Sequence, residues 1–275
     1  MRYKMIVLDM DDTLLHDDHT ISERAKTALM NAQKQGVKVV LASGRPLFGM
    51  RTHAKELQLD EYGSYIVAFN GAQIIDCKTE DVLFTSHLEP DTVHRLADLS
   101  RREGVFLHTF VGDTIVTEQT NPYTALESKL TGIPVEVVDS IKEKVTRPVV
   151  KVLMSEEPEK LIEVERNMKA EFNGTLSIFR SKPFFLEFIE PGVTKGSSLS
   201  KLIDKLGISR EEVIAVGDSY NDLEMIQFAG FGVAMANAPD DIKAKADHVT
   251  ASNIDDGVAI VVEKFVLQEQ NRVRQ

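Results

Sequence analysis

Short apolar runs, each opening into a polar turn, constrain this chain more than any other feature. Met5–Leu8, Val37–Ala42, Val213–Val216 and Gly232–Met235 are of this kind. A strand that does not alternate is covered on both faces, which a parallel sheet lying between helices provides. Between the first two runs, Ser22 is placed to cap a helix whose Ala25, Ala28, Leu29 and Ala32 recur at helical spacing, with Gly36 as its stop. Strand, helix and strand with short connections form a βαβ crossover. The same grammar returns late. Thr194 can cap a helix carrying Leu199, Leu202, Ile203 and Leu206, with Gly207 beyond its end. The spacing then predicts a helix over Asp222–Ala229 and a closing helix within Ile254–Leu267.

The middle of the chain reads differently. Val105–Val111 and Thr114–Glu118 flank Gly112-Asp113, a two-residue hairpin signal. Val149–Met154 and Thr175–Ile178 bracket an amphipathic helix over Pro158–Phe172, and Phe184–Ile189 alternates imperfectly. Hairpins mixed with helices indicate an α+β module. The expected organisation is therefore a discontinuous α/β core, 1–82 with 190–275, interrupted by an α+β unit at 83–189. The length of 275 residues suits two such domains.

Composition narrows the function. A net charge of −11 leaves no basic stripe to track nucleic acid or an anionic membrane. Cys77 is the only cysteine, which excludes an internal disulfide and a multi-thiolate zinc site. A signal peptide needs about 7–15 apolar residues in a row and a membrane span about 20. The chain contains neither, so the expected location is cytoplasmic.

Four polar segments carry the chemistry: Asp9-Met10-Asp11-Asp12-Thr13-Leu14, Ser43-Gly44-Arg45, Lys195-Gly196 and Gly217-Asp218-Ser219-Tyr220-Asn221-Asp222. Three of them follow predicted strands directly, and ligands of open parallel sheets bind beyond the carboxyl ends of the strands. Asp9, Asp11 and Asp218 would concentrate negative charge there, which a hard cation such as Mg²⁺ can neutralise through oxygen ligands. Lys195, Ser43, Asn221 and the backbone N–H groups around Met10 and Gly44 supply donors for phosphate oxygens. A cation, a carboxylate nucleophile and a ring of donors make up the kit for phosphoryl transfer.

In this order the four segments resemble the motifs of the haloacid dehalogenase (HAD) superfamily. The segments AFNGA and EFIEPGVTKG, with an insertion between the second and third motifs, resemble its Cof-type (IIB) sugar-phosphatase branch. The resemblance implies a Rossmann-like core with a parallel sheet flanked by helices and an inserted α+β cap domain. It implies that Asp9 is the nucleophile, forming an aspartyl-phosphate, and that Asp11 is the general acid/base and a metal ligand through its backbone carbonyl. Ser43 and Lys195 match phosphate-binding positions, with Met10, Gly44 and Asn221 beside them. Asp218 matches a metal-binding acid, giving Asp9, Asp11 and Asp218 as the Mg²⁺ set. Thr13 shapes the first loop, and Asp222 orients Lys195 or the metal's waters. Asp12 occupies a position that is Gly in many relatives, and no role follows for it.

Blander readings suit other features. His16-Asp17-Asp18-His19 reads as an exposed loop, Asn173-Gly174-Thr175 as a turn, and Phe184, Phe185 and Phe188 as core of the inserted unit. Arg45, Arg180, Lys182 and Glu187 are candidates for choosing the substrate. The expected activity is Mg²⁺-dependent hydrolysis of a small phosphorylated metabolite, most simply a sugar phosphate, with no obligate protein partner. A sugar phosphomutase and a non-catalytic phosphometabolite-binding regulator are the alternatives.

Overall fold

The computed structural model describes residues 2–268. The chain opens with β1 (Met5–Leu8), crosses through α1 (Glu23–Lys34) to β2 (Lys38–Ala42), and passes α2 (Arg51–Glu56) to reach β3 (Tyr65–Ala68), β4 (Gln73–Asp76) and β5 (Val82–Thr85). A second series follows: α3 (Pro90–Glu103), β6 (Phe106–Val111), β7 (Thr114–Thr117), α4 (Pro122–Thr131), β8 (Val135–Val137), α5 (Ile141–Lys144), β9 (Val152–Ser155), α6 (Pro158–Phe172), β10 (Ser177–Lys182) and β11 (Phe185–Ile189). The chain then continues with α7 (Lys195–Leu206), β12 (Val213–Gly217), α8 (Leu223–Phe228), β13 (Phe231–Ala234), α9 (Asp240–Lys243), β14 (His248–Val249) and α10 (Gly257–Val261). Two compact units result, one built from the segments up to Phe84 and from Thr194 onward, the other from Thr85–Val193.

The first unit holds a sheet of order β14-β13-β12-β1-β2-β3-β4-β5. The strands from β14 to β3 are parallel to their neighbours, with β1 between β12 and β2 in the registers Leu8↔Val216 and Leu8↔Leu41. The βαβ expectation for 5–42 holds, and its details follow from local chemistry. The Ser22 hydroxyl accepts the Ala25 N–H at 3.0 Å, and Gly36 takes a φ of +89° after the helix ends. On one face Met5, Val7, Val40 and Ala42 pack with Leu199, Leu202, Ile203 and Met225 from α7 and α8. Ile6, Leu8, Val39 and Leu41 are equally buried on the other, where α1 packs against β2.

The sheet is not parallel throughout. β4 runs antiparallel to β3, so a hairpin extends the parallel sheet at that edge. The closing helix falls within Ile254–Leu267 as expected and begins at Gly257, because Asp256 adopts a left-handed φ of 60° and leaves Ile254 in an exposed turn.

The second unit carries a sheet of order β10-β11-β9-β6-β7-β8, antiparallel except where β8 joins β7. The Gly112-Asp113 hairpin and the helix over 158–172 form as expected. Val93, Leu96, Leu161, Val164 and Met168 of α3 and α6 pack with Leu107, Val152, Met154, Leu186 and Phe188 of the sheet. The strand expected over Val149–Met154 starts at Val152, with Val149 making a lone bridge to Leu88, and the strand expected over Thr175–Ile178 runs on to Lys182. Phe185 and Phe188 are buried, and half-buried Phe184 stacks on Tyr123. Asn173 ends α6 in the left-handed region, making 173–175 a turn.

Candidate active site

Parallel pairing of β1 with β12 brings two acid-bearing strand ends side by side. The Asp9 N–H donates to the Val216 carbonyl at 3.0 Å, so the chain leaves β1 beside the start of the Gly217-Asp218 turn. From Met10 the backbone coils through one wide turn, closed by the Leu15 N–H on the Met10 carbonyl. Asp12 takes φ 60°, a left-handed geometry that Gly enters freely and Asp tolerates, which accounts for a small or Asx residue there. Thr13 is buried, and its hydroxyl donates to Asp218 Oδ1 at 2.7 Å, tying the two loops together.

Lys195 stands in the first turn of α7, where the helix dipole disfavours a cation. A reciprocal cap between Thr194 and Ser197 fixes that turn. The ammonium is fully buried and donates to Asp9 Oδ1 and Asp222 Oδ1, both at 2.5 Å. Asp222 Oδ2 accepts the N–H groups of Asp218 and Ser219 at 3.1 and 3.0 Å, so one carboxylate holds both the lysine and the turn. Gly217 is required beside it, since a Cβ there would lie 2.5 Å from Asp222 Cβ.

Ligand oxygens of Asp9, Asp218 and Asp222 lie within 4.8 Å of one another. Burial, reinforced by Asp222, pushes Asp9 well above the usual carboxylate range despite Lys195. Burial also raises Asp218 to about 6, against the hydrogen bond from Thr13. For Lys195, burial would strip the proton, but Asp222 and Asp9 outweigh it and hold the ammonium above its ordinary value. Three carboxylates around one ammonium leave an excess of two negative charges in a buried site. An all-oxygen donor set with that excess fits a hard divalent cation.

The remaining expected residues lie on neighbouring loops of the same unit. Ser43 follows β2, is buried, and accepts the Arg45 N–H at 3.1 Å on its hydroxyl. Gly44 lies against Asn70: a Cβ there would come within 3.1 Å of its amide nitrogen. Asn221 donates from its amide to Asn70 Oδ1 at 3.0 Å. Met10 is buried at the head of the wide turn. The carboxylate of Asp11 does not join the acid cluster; it accepts Arg45 Nε at 2.9 Å and Nη2 at 2.5 Å.

Of the substrate-choosing candidates, Arg45 is thus engaged with Asp11, Arg180 pairs with Glu165 at 2.8 Å, and Glu187 is buried beside Lys151 at 3.3 Å. Lys182 is exposed at the end of β10. The 16–19 loop is pinned by Asn253, whose amide donates to the Leu15 carbonyl and to Asp17. Asn70 is a residue the motif reading missed as a site component. It is buried at φ 55°, and its N–H donates to the Ser43 carbonyl while its side chain meets Asn221. An Asn-Gly pair just after a buried strand was its only signal.

An open α/β sheet that delivers carboxylates and a buried ammonium to its carboxyl edge defines a Rossmann-like hydrolase core. The chain belongs to the haloacid dehalogenase-like hydrolase family, which it matches over residues 6–262, and it is a phosphatase of that family. A haloacid dehalogenase-like hydrolase from Bacteroides thetaiotaomicron is 40% identical, with a TM-score of 0.91 over 95% of this chain and 99% of that one. The 5-amino-6-(5-phospho-D-ribitylamino)uracil phosphatase YcsE of Bacillus subtilis (strain 168) is 34% identical over 265 residues, covering 96% of each chain. The HAD subclass IIB sugar phosphatase BT4131 is 28% identical at a TM-score of 0.78, over 95% of this chain and 98% of that one. Among the described residues, no helix is long and apolar enough to cross a membrane.

Proposed function

We propose that this chain hydrolyses small phosphorylated metabolites, sugar phosphates foremost, with Mg²⁺ and through an aspartyl-phosphate on Asp9. The observation that carries this reading is the buried Lys195 ammonium bridging Asp9 and Asp222 beside Asp218. Lys195 holds Asp9 in place and offers charge to an incoming phosphate oxygen. Asp222 spends one oxygen on Lys195 and the other on two backbone N–H groups, so it supports the site. Asp9 and Asp218, with the backbone carbonyl of Asp11, are left to hold Mg²⁺. When bound, that ion supplies the positive charge that lets a phosphate approach a carboxylate.

Asp9 attacks phosphorus, and the ester oxygen departs with a proton from Asp11. Water then attacks the same phosphorus, gives its proton to Asp11 and restores Asp9. Ser43, Gly44, Asn221 and the backbone at Met10 provide the donors that surround the phosphoryl oxygens. The subclass IIB relative, named for a sugar phosphatase, supports a sugar phosphate as first choice, and YcsE, named for a phosphoribityl substrate, supports a phosphorylated polyol as second.

Phosphate release from a panel of sugar phosphates, nucleotides and phosphorylated cofactors tests the proposal, with Mg²⁺ or EDTA and with Asp9→Asn as the blank. Release that needs Mg²⁺ and vanishes in the blank is expected. Release that persists in Asp9→Asn would remove Asp9 from the mechanism.

A further inference from the structure

Three consecutive residues after β3 have a left-handed backbone: Phe69 at φ 53°, Asn70 at φ 55° and Gly71 at φ +106°. Only the glycine enters that region freely, so the first two are held there by their surroundings. The Phe69 N–H donates to the Arg45 carbonyl at 3.0 Å, and the Asn70 N–H donates to the Ser43 carbonyl at 2.9 Å. The Gly71 carbonyl accepts the Ser198 hydroxyl at 2.5 Å. Asn70 is thereby pinned between the loop after β2 and the first turns of α7, and it is only 4% exposed. Its amide lies against Gly44, where a Cβ would come 3.1 Å from the nitrogen and 3.3 Å from the oxygen.

Asn221 is the opposite case. It is exposed, in the short turn Tyr220–Asp222, and its amide nitrogen donates to Asn70 Oδ1 at 3.0 Å. An exposed asparagine on a turn has several rotamers and can turn its amide over, presenting oxygen in place of nitrogen. A fixed acceptor removes that choice, because the reversed amide would set two acceptor oxygens against each other. The bond uses one N–H of Asn221 and leaves the second for another acceptor. Glycine would serve the backbone at φ 55° with less strain. What asparagine adds at position 70 is the acceptor.

We propose that Asn70 is a positioning residue for phosphate binding: its buried side-chain oxygen holds the Asn221 amide so that the second N–H is presented to a phosphoryl oxygen. This rests on the phosphatase reading above, in which Asn221 is a phosphate donor. Asn70 itself neither bonds to phosphorus nor moves a proton.

The test is a set of paired variants of the full-length enzyme, assayed as kcat/KM for p-nitrophenyl phosphate with Mg²⁺. The readout is what Asn221→Ala costs in each background at position 70. In the parent that cost should be about 100-fold, the scale of one lost donor to a transition-state oxygen. Asn70→Gly keeps the left-handed backbone and removes the acceptor. Alone it should lower kcat/KM about 10-fold, the worth of one hydrogen bond, and within it Asn221→Ala should cost only a further factor of about 10. Asn70→Asp also tolerates the backbone and keeps an oxygen. There Asn221→Ala should again cost about 100-fold, whatever the added charge does to the starting rate. A role confined to loop structure would slow both members of each pair alike. The same cost of Asn221→Ala in all three backgrounds would therefore overturn the assignment. Asn70→Gly at the parent's kcat/KM would overturn it too, as would an Asn221→Ala as fast as the parent. Asp9→Asn run alongside tests the phosphatase reading itself. If it is silent, an uncoupled pair counts against Asn70 alone; if it turns over, the reading of Asp9 fails and the assignment falls with it.

Discussion

Buried Asp9 and Asp222 and half-buried Asp218 cluster in the core with a single ammonium, and the charge left over sets how the folded state responds to cations. Like charges held together in a site of low polarity oppose folding until something neutralises them. A divalent cation that binds only the folded chain should raise its unfolding temperature, by the equivalent of about 2.7 kcal/mol at a hundred times its dissociation constant. Asp218→Asn keeps an oxygen for Thr13 to donate to but removes one charge. This variant should unfold no more easily than the parent without metal, and Mg²⁺ should barely shift its melting curve. A variant that still responded to Mg²⁺ as the parent does would place the cation elsewhere. Asp9 and Asp218 were visible in the sequence because each stands one or two positions past an apolar run, and Asp222 because it closes the polar segment that opens at Gly217. Asn70 was less visible, because its contribution depends on a left-handed backbone and on contacts with Ser43 and Asn221 that lie far away in the chain.

Elements position these side chains through close backbone approaches. Gly71, in the loop after β3, has φ +106°, and a Cβ there would sit 2.3 Å from the Thr194 carbonyl oxygen and 2.9 Å from Ser198 Oγ. The Ser198 hydroxyl in turn donates to the Gly71 carbonyl at 2.5 Å. The start of α7, and with it Lys195, is therefore seated on that glycine. Gly71→Ala adds backbone strain and a clash with main-chain atoms, so destabilisation beyond about 1 kcal/mol is expected. The urea midpoint followed by circular dichroism measures it, and phosphatase activity should fall more steeply than stability because the displaced turn carries Lys195. An alanine variant with the parent's midpoint and activity would refute this seating. Helix α7 itself was readable from Thr194, its apolar spacing and Gly207, and α6 from its period. Helix α4 was not, because the residues it buries include Thr124, Glu127 and Thr131, which give no apolar stripe. The β3–β4 hairpin escaped for another reason: Gln73-Ile74-Ile75-Asp76 does not alternate, so β4 gives no edge-strand signal.

At the scale of the whole molecule the chain supports two cores. The first joins segments far apart in sequence, as the contact between Thr13 and Asp218 across 205 positions shows. The second, Thr85–Val193, buries its own polar group, and acid should find it there. His108 on β6 is fully buried, with Nδ1 3.4 Å from the Thr124 hydroxyl and its ring edge-on to Phe110 and Phe185. Burial, with the Lys151 ammonium adding repulsion, pulls its pKa down to about 3. The unfolded chain takes up the proton near pH 6.5, so between that pH and about 3 the unfolded state binds more protons than the folded one. Stability conferred by the neutral imidazole is complete above pH 6.5 and is lost progressively as pH falls through that window, by up to roughly 5 kcal/mol in total. Hydrogen exchange read by peptide mass should show protection falling within 85–193 as pH is lowered from 6.5 to 4, after correction for intrinsic exchange. His108→Gln cannot take up that proton, so its 85–193 peptides should lose less protection over the same interval, whatever its stability at neutral pH. Identical pH slopes in parent and variant would show that the histidine is not the acid-sensitive group of this unit.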